Sequence, residues 1–503
     1  MVASLACHRH NGGVIHDLII IGGGINGCAI AREAAINGLS VLLVERDDIA
    51  SHTSSASTGL IHGGLRYLEY REFRLVREAL QERERLLHAA PHLIAPMRFV
   101  LPHEHSIRPW WLVRLGLLLY DRLGGRISLP RSRGLRRDDS AYRAPLRHRG
   151  KGFVYSDCRV DDARLTLANA LDAAQHGAAI RTRTAAIAAQ RSGATWQVAL
   201  SDGTQESGRA LVNAAGPWVA ETLGLIGVQS RSGVRLIRGS HIIVPRLYEG
   251  DHAYMLQQPD RRIVFALPYQ RRWTVIGTTD IAVDRPEDAG ISPAETAYLC
   301  AAASSAFTTA VTPTDIIASY SGVRSLYDDG ASESRAVTRD YVLELDRDGP
   351  PALSVFGGKI TTARHLAETA FDRLAPAMGW MRGKSSRGLA FPGGDIADFA
   401  AFLADVAHRW PFLGAERALR MARAYGTMLH AMLAQVASEA QMGMAFGAGF
   451  TEIEAHWMHE REFALTAQDC LMRRSKLGLA MTDKERAAFR HWWNDAYLST
   501  QPA

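Results

Sequence analysis

Three glycines and one acid mark where this chain could hold a nucleotide. Gly22, Gly24 and Gly27 stand in the spacing G-x-G-x-x-G, and Glu45 follows 18 residues after the last of them. Each glycine has its own use. Gly22 permits a tight turn, Gly24 lets a pyrophosphate reach the backbone, and Gly27 lets a helix sit close to a strand. The backbone around Ile25 and Asn26 would then offer the diphosphate free N–H groups and the positive end of a helix dipole. A carboxylate at position 45 can accept hydrogen bonds from both hydroxyls of an adenosine ribose. That disfavours NADP, despite the adjacent Arg46, and leaves FAD and NAD open.

The motif needs a strand before it, a helix after it and a second strand ending at the acid. Asp17-Leu18-Ile19-Ile20-Ile21 is short, apolar and β-branched, as a buried parallel strand is. An Ala-rich segment ends at Asn37-Gly38, where glycine tolerates the left-handed conformation. Val41 to Val44 then lead into Glu45. Further on, Phe73, Val76, Leu80, Leu86 and Leu87 have helical spacing between many charges and predict an exposed amphipathic helix over 71–90. Pro109 to Gly125 reads as another helix, too short to span a bilayer. Its paired Trp110 and Trp111 and its flanking Arg108, Arg114, Arg122 and Arg126 suit a membrane-surface helix and a core helix equally. Asp161-Asp162 predict a capped helix. Strands follow at 196–200 and 210–212, and Ala214-Ala215-Gly216-Pro217 turns close by. Antiparallel-like strands fill 234–323. Pro392-Gly393-Gly394 marks a boundary, after which helical periodicity dominates.

Length and composition agree with a multidomain globular protein: 503 residues, 47% hydrophobic and 22% charged. Five scattered cysteines with no C-x-x-C indicate neither a metal site nor a disulfide framework. A reducing cytoplasm fits. The net charge of +6 could meet anionic lipid headgroups. No basic stripe interleaved with aromatics points to nucleic acid. No apolar run reaches the ~20 residues of a membrane span, and residues 1–16 read as a disordered leader.

One stretch carries a specific resemblance. Ser54-Ser55-Ala56-Ser57 with Leu60-Ile61-His62-Gly63-Gly64-Leu65-Arg66-Tyr67-Leu68-Glu69 closely resembles the FAD-dependent, respiratory glycerol-3-phosphate dehydrogenases of aerobic bacteria. These belong to the wider glycine/D-amino-acid oxidase fold group. The resemblance continues through Asn213-Ala214-Ala215-Gly216-Pro217-Trp218, Arg238-Gly239-Ser240-His241, Ile276-Gly277-Thr278-Thr279-Asp280, Tyr320-Ser321-Gly322-Val323-Arg324, Thr338-Arg339-Asp340-Tyr341 and Phe356-Gly357-Gly358-Lys359-Ile360-Thr361. It implies an α/β chain with an α+β cap: a Rossmann-like FAD-binding domain (17–75, 150–233 and 330–385), an antiparallel-sheet substrate or cap domain (76–149 and 234–329) and a C-terminal helical domain (390–503).

The resemblance also implies a reaction, in which a hydride passes from glycerol 3-phosphate to FAD, dihydroxyacetone phosphate forms, and the electrons go to a membrane quinone. The implied partners are the substrate, the quinone, an anionic lipid surface and a second copy in a homodimer. The implied location is the cytoplasmic face of the cell membrane. A phosphate dianion needs fixed cations. Arg324 is the first candidate, at the phosphate or the reacting oxygen, followed by Arg339, Lys359 and Arg66. The hydroxyl proton needs an acceptor, and His62 and His241 are both candidates. The flavin would be held by Gly22, Gly24, Ile25, Asn26, Gly27, Glu45, Arg46, Thr53, Ser54, Ser55, His62, Gly63, Gly64, Leu65, Gly216, Gly358, Lys359, Ile360 and Thr361. A helix beginning near Ile360 would aim its N-terminus at the ring and favour the anionic reduced form. Two departures stand out. Thr58-Gly59 replaces a common Ser-Lys, and Ser325 replaces a common proline. Use of O₂ as acceptor, and an amine or amino-acid oxidase on the same fold, are the rival activities. A flavin-binding sensor without catalysis is a further rival.

Overall fold

The computed structural model describes residues 14–103, 108–125, 127–230, 232–328 and 340–497. Strand Ile15–Ile21 is the centre of an eight-stranded sheet. It begins inside the stretch read as a leader, whose residues 1–13 lie outside the described residues. It pairs in parallel with Val41–Val44 on one side and Gln205–Asn213 on the other. Ala352–Phe356 adds a fourth parallel strand, next to Gln205–Asn213. These strands are buried on both faces, which is why they read as unbroken apolar runs. Helix Ile25–Ile36 lies against helices Asp162–Gln175 and Ala363–Met378, its Ala29, Ala31 and Ala35 small enough for close contact. Asp161 caps the second of these helices by accepting a hydrogen bond from the Arg164 N–H at 3.2 Å.

The second sheet has ten strands. Strand Gly233–Pro245 pairs antiparallel along its length with Ala318–Asp328, and Ile94–Pro102 pairs antiparallel with Gly152–Val160. One junction is parallel, between Ala253–Gln257 and Ile94–Pro102, so the sheet is mixed rather than wholly antiparallel. Helix Pro293–Ala306 covers one face. Helices Phe73–Ala89 and Trp110–Leu123 cover the other. In the latter helix Leu117 and Tyr120 are buried, while Trp111 is 65% exposed and Leu115 is 55% exposed. Its apolar residues therefore split between a packed face and an open one.

Residues 399–497 form helices around their own core, including Val406, Tyr425, Phe450 and Trp493, with one short hairpin at Ala445–Gly447 and Phe450–Thr451. Buried ion pairs dock this unit on the rest: Arg164 with Glu462 at 2.7 Å and Arg474 with Asp48 at 2.5 Å. Among the described residues no helix is long and apolar enough to cross a membrane.

Candidate active site

The carboxyl ends of the parallel strands bring Gly22, Glu45, Ala214 and Gly357 to one edge, where α/β sheets bind their ligands. A cavity of about 490 Å³ opens there, within the size range of cofactor sites. Gly22 has φ +115°, and a Cβ on it would lie 2.5 Å from the Ala214 carbonyl oxygen. A Cβ on Gly27 would lie 1.9 Å from the Gly22 oxygen, so the helix reaches the turn only because both residues are glycine. We expect Gly22→Ala to give folded or partly folded protein with no bound flavin. Absorbance of the purified variant near 450 nm checks this directly.

Glu45 is buried, and its carboxylate accepts the Gly23 N–H at 2.6 Å and the Asp47 N–H at 2.8 Å. Burial pushes its pKa up, and the two N–H groups oppose that. Each oxygen keeps a further lone pair for a ribose hydroxyl. Arg46 lies over the Trp218 ring, 4.1 Å from its centre, and both residues line the cavity. Ser54 Oγ accepts the Ile25 N–H at 2.9 Å and ties the second loop to the helix start.

The far end of the cavity is built by the paired strands Gly233–Pro245 and Ala318–Asp328, whose register sets His241 opposite Tyr320 and Ile237 opposite Arg324. Gly239 makes room for the Arg324 guanidinium, since a Cβ there would meet Nη2 at 2.2 Å. Arg324 Nη2 donates to Thr278 Oγ1 at 3.0 Å. His241 is 1% exposed, stacks on Tyr320 at 4.7 Å and has Nε2 3.0 Å from Thr58 Oγ1. Burial and the Arg324 charge hold its pKa down to about 3, so the ring is neutral, as a proton acceptor must be, and the same shift weakens it as a base. Lys359 Nζ is buried over the Tyr67 ring at 3.9 Å and has no hydrogen-bond partner among the described residues. An ammonium held this way has donors left over for an incoming anion. A side chamber of about 110 Å³ shares His62, Tyr67, Phe265, Thr278 and Arg324 with the main cavity and adds Arg66, Arg262 and Asp280.

Of the residues expected at the flavin, Gly22, Gly24, Ile25, Asn26, Glu45, Arg46, Thr53, Ser54, His62, Gly216, Gly358, Lys359, Ile360 and Thr361 line the main cavity, as do His241 and Arg324. Gly64, Leu65 and Arg66 line the side chamber instead. Gly27, Ser55 and Gly63 line neither. Gly27 packs on Gly22, Ser55 Oγ turns to the His52 carbonyl, and Gly63 donates its N–H to the Tyr120 hydroxyl. Arg339 and Arg126 lie outside the described residues. Tyr67, Trp218 and Thr278 stand inside the quoted motifs without an expected role, and Thr58 stands in the departure between two of them. Arg262 had no signal in its surroundings.

A dinucleotide crevice that ends on cations and imidazoles is the site of a nucleotide-dependent oxidoreductase. The chain belongs to the FAD-dependent oxidoreductase family, whose pattern matches residues 17–364, and residues 385–492 match the C-terminal domain of alpha-glycerophosphate oxidase. It is 50% identical to a glycerol-3-phosphate dehydrogenase of Pseudomonas aeruginosa, over 94% of each chain. It is 47% identical to the D-erythritol 1-phosphate dehydrogenase of Brucella abortus, over 96% of this chain and 98% of that one. It is 44% identical to the aerobic glycerol-3-phosphate dehydrogenase of Escherichia coli, over 95% and 97%. In fold it is similar to a glycerol-3-phosphate dehydrogenase from Bacillus halodurans solved with FAD (TM-score 0.73, 24% identity, 96% and 94% coverage). FAD is the cofactor. The glycine cradle with Glu45, and Gly358 (φ +105°) on the cavity wall, suit its two ends.

Proposed function

We propose that the chain oxidises sn-glycerol 3-phosphate to dihydroxyacetone phosphate and passes the electrons to a quinone at the inner membrane face. The observation that carries the substrate is Lys359, whose covered ammonium has no carboxylate partner among the described residues, on the same cavity as Arg324. The names of the relatives agree with it. Bound FAD supplies the acceptor for the hydride that leaves C2. The chain's own residues do the rest. Arg324, Lys359 and Arg66 hold the phosphate, Arg by its fork of donors and Lys as a compact charge. His62 accepts the Gly64 N–H on Nδ1 at 3.1 Å, which leaves Nε2 as the nitrogen that carries hydrogen and can donate to the reacting oxygen. His241 takes the hydroxyl proton, handed on by Thr58 Oγ1, since the ring itself is almost wholly covered.

The test is anaerobic addition of glycerol 3-phosphate to the purified holoenzyme. Loss of the yellow absorbance is expected, and persistence of colour would end this reading. A second substrate reading has its own support: the 47%-identical relative acts by name on D-erythritol 1-phosphate, and the side chamber adds room beyond Arg324. Comparing kcat/KM for the two phosphates decides between them. Peroxide release in air would identify O₂ as acceptor in place of quinone.

Support for the membrane comes from helix Trp110–Leu123. Trp111, Leu115 and Leu119 recur every fourth residue on its open face, and the helix packs beside the turn Leu65–Tyr70 that carries Arg66 and Tyr67. An amphipathic helix of this kind lies in the lipid interface. Trp111→Glu with Leu115→Glu should lower binding to anionic vesicles about a hundredfold or more, at ~1.5 kcal/mol or more per side chain. Bleaching in solution should be unchanged. Sedimentation with vesicles measures it, and undiminished binding would assign this face another role.

A further inference from the structure

The C-terminal unit reaches toward the site through Lys476. Lys476 stands in the left-handed conformation (φ 56°), and its side chain is 16% exposed. It turns into the start of helix Asp162–Gln175, where Nζ lies 3.0 Å from Asp161 Oδ1 and 2.8 Å from Asp162 Oδ1. Gln270 donates to the Lys476 carbonyl at 2.8 Å and holds that backbone in place. The other oxygen of Asp162 accepts both the N–H of Ser57, at 3.0 Å, and its hydroxyl, at 2.7 Å. Ser57 Oγ in turn accepts the Gly59 N–H at 3.0 Å. Tyr320 OH donates to the Ser57 carbonyl at 3.2 Å, and its ring carries His241. Thr58, between Ser57 and Gly59, holds His241 Nε2. A charged contact from residue 476 therefore ends two hydrogen bonds from the proposed proton acceptor.

We propose that Lys476 is a positioning residue for catalysis: through Asp162 and the Ser57–Thr58 backbone it fixes the hydroxyl that holds His241, so the C-terminal unit sets the proton-transfer geometry. The inference rests on the dehydrogenase reading above. The alternative is a docking ion pair like Arg164–Glu462. What separates Lys476 from those pairs is the far side of its carboxylate, which is bonded to the flavin loop rather than to other groups of the interface.

The groups facing His241 are Arg324 and Tyr320 from the neighbouring strand, Thr58 from the loop, Gly277 from the other neighbouring strand, and Asp162 from the helix start. Arg324 lowers the basicity of the ring and Asp162 raises it. Removing the ammonium uncovers the Asp162 charge, so the acid limb of the pH–rate profile moves to higher pH.

The test uses full-length holoenzyme with Lys476→Met, Lys476→Arg and Ser57→Ala, with flavin content and Tm measured alongside. Anaerobic flavin reduction by glycerol 3-phosphate is followed by stopped flow across pH. In Lys476→Met the reduction rate should fall about tenfold or more, the size of a lost proton-transfer geometry. Flavin content should persist, KM should stay within about twofold, and the acid limb should rise. Lys476→Arg should recover most of the rate, and Ser57→Ala should slow reduction without loss of flavin. Unchanged rate and limb in flavin-loaded Lys476→Met would overturn the proposal, as would a loss of Tm alone. If Lys476→Met fails to fold, Ser57→Ala decides by the same rate criterion. A wild type that is not bleached overturns the dehydrogenase reading and this role with it, whereas a bleached wild type with equally fast variants overturns only this role.

Discussion

Arg324→Ala should raise the KM for glycerol 3-phosphate by two to three orders of magnitude while the protein still purifies with its flavin. Truncating one partner of a desolvated charge pair costs about 3–4 kcal/mol, and each ~1.4 kcal/mol is tenfold. The flavin should remain because the bond that ties this strand to the flavin loop, from the Thr53 hydroxyl, goes to the Val323 backbone carbonyl, which the substitution keeps. Kinetics also locate the group. A cation on the phosphate binds ground state and transition state alike, so KM moves and kcat holds. A cation on the reacting oxygen would lower kcat equally. Arg324→Lys should recover part of the loss, since a point charge reaches the phosphate but cannot also donate to Thr278 in the fork geometry now seen. An unchanged KM in flavin-loaded Arg324→Ala would remove the residue from substrate binding.

His241→Asn should lower kcat by about 10²–10⁴, the usual contribution of a positioned acid–base group, with KM and flavin content near the wild-type values. The imidazole is neutral at rest, as an acceptor must be. Its pKa is held at about 3 by burial and by Arg324, so no part of the ring is charged at the pH of assay. Its stability contribution follows the same sign. The folded state disfavours the proton, so that contribution is complete above the free histidine pKa of ~6.5 and is lost as pH falls from there through the folded value. A matched His62→Asn separates the two rings. Its Nδ1 is committed to the Gly64 N–H, and its loss should weaken orientation of the substrate oxygen rather than remove the acceptor. If His62→Asn instead abolishes turnover and His241→Asn does not, the assignments reverse.

The nucleotide half of the molecule could be read from the residues alone because its requirements are local. Gly22, Gly24 and Gly27 serve a turn of six residues, and the strand and helix around them are short segments with a clear period. The resemblance at 54–69 then named the cofactor, and the matched family agrees. Helix Trp110–Leu123 marks the limit of such reading. Its apolar residues go round most of the helix, so periodicity could not say which face was packed. Only the neighbouring sheet decides that Leu117 and Tyr120 go inward and Trp111 and Leu115 do not.

Chemistry-bearing residues far apart in the chain met the same limit. That the Lys359 ammonium is covered without a counter-charge among the described residues depends on where strand Ala352–Phe356 ends and on the ring of Tyr67, nearly 300 positions earlier. That Arg324 crosses Gly239, that His241 lies on Tyr320 and that Lys476 reaches Asp162 all follow from antiparallel register and domain docking. Residue types and their spacing set a dinucleotide site and the strand–turn–helix that cradles it, and the resemblance named FAD and a phosphorylated substrate. Burial, partners and protonation belong to the folded chain, because a side chain's free energy depends on the dielectric and the neighbours it meets, and long-range pairing supplies both.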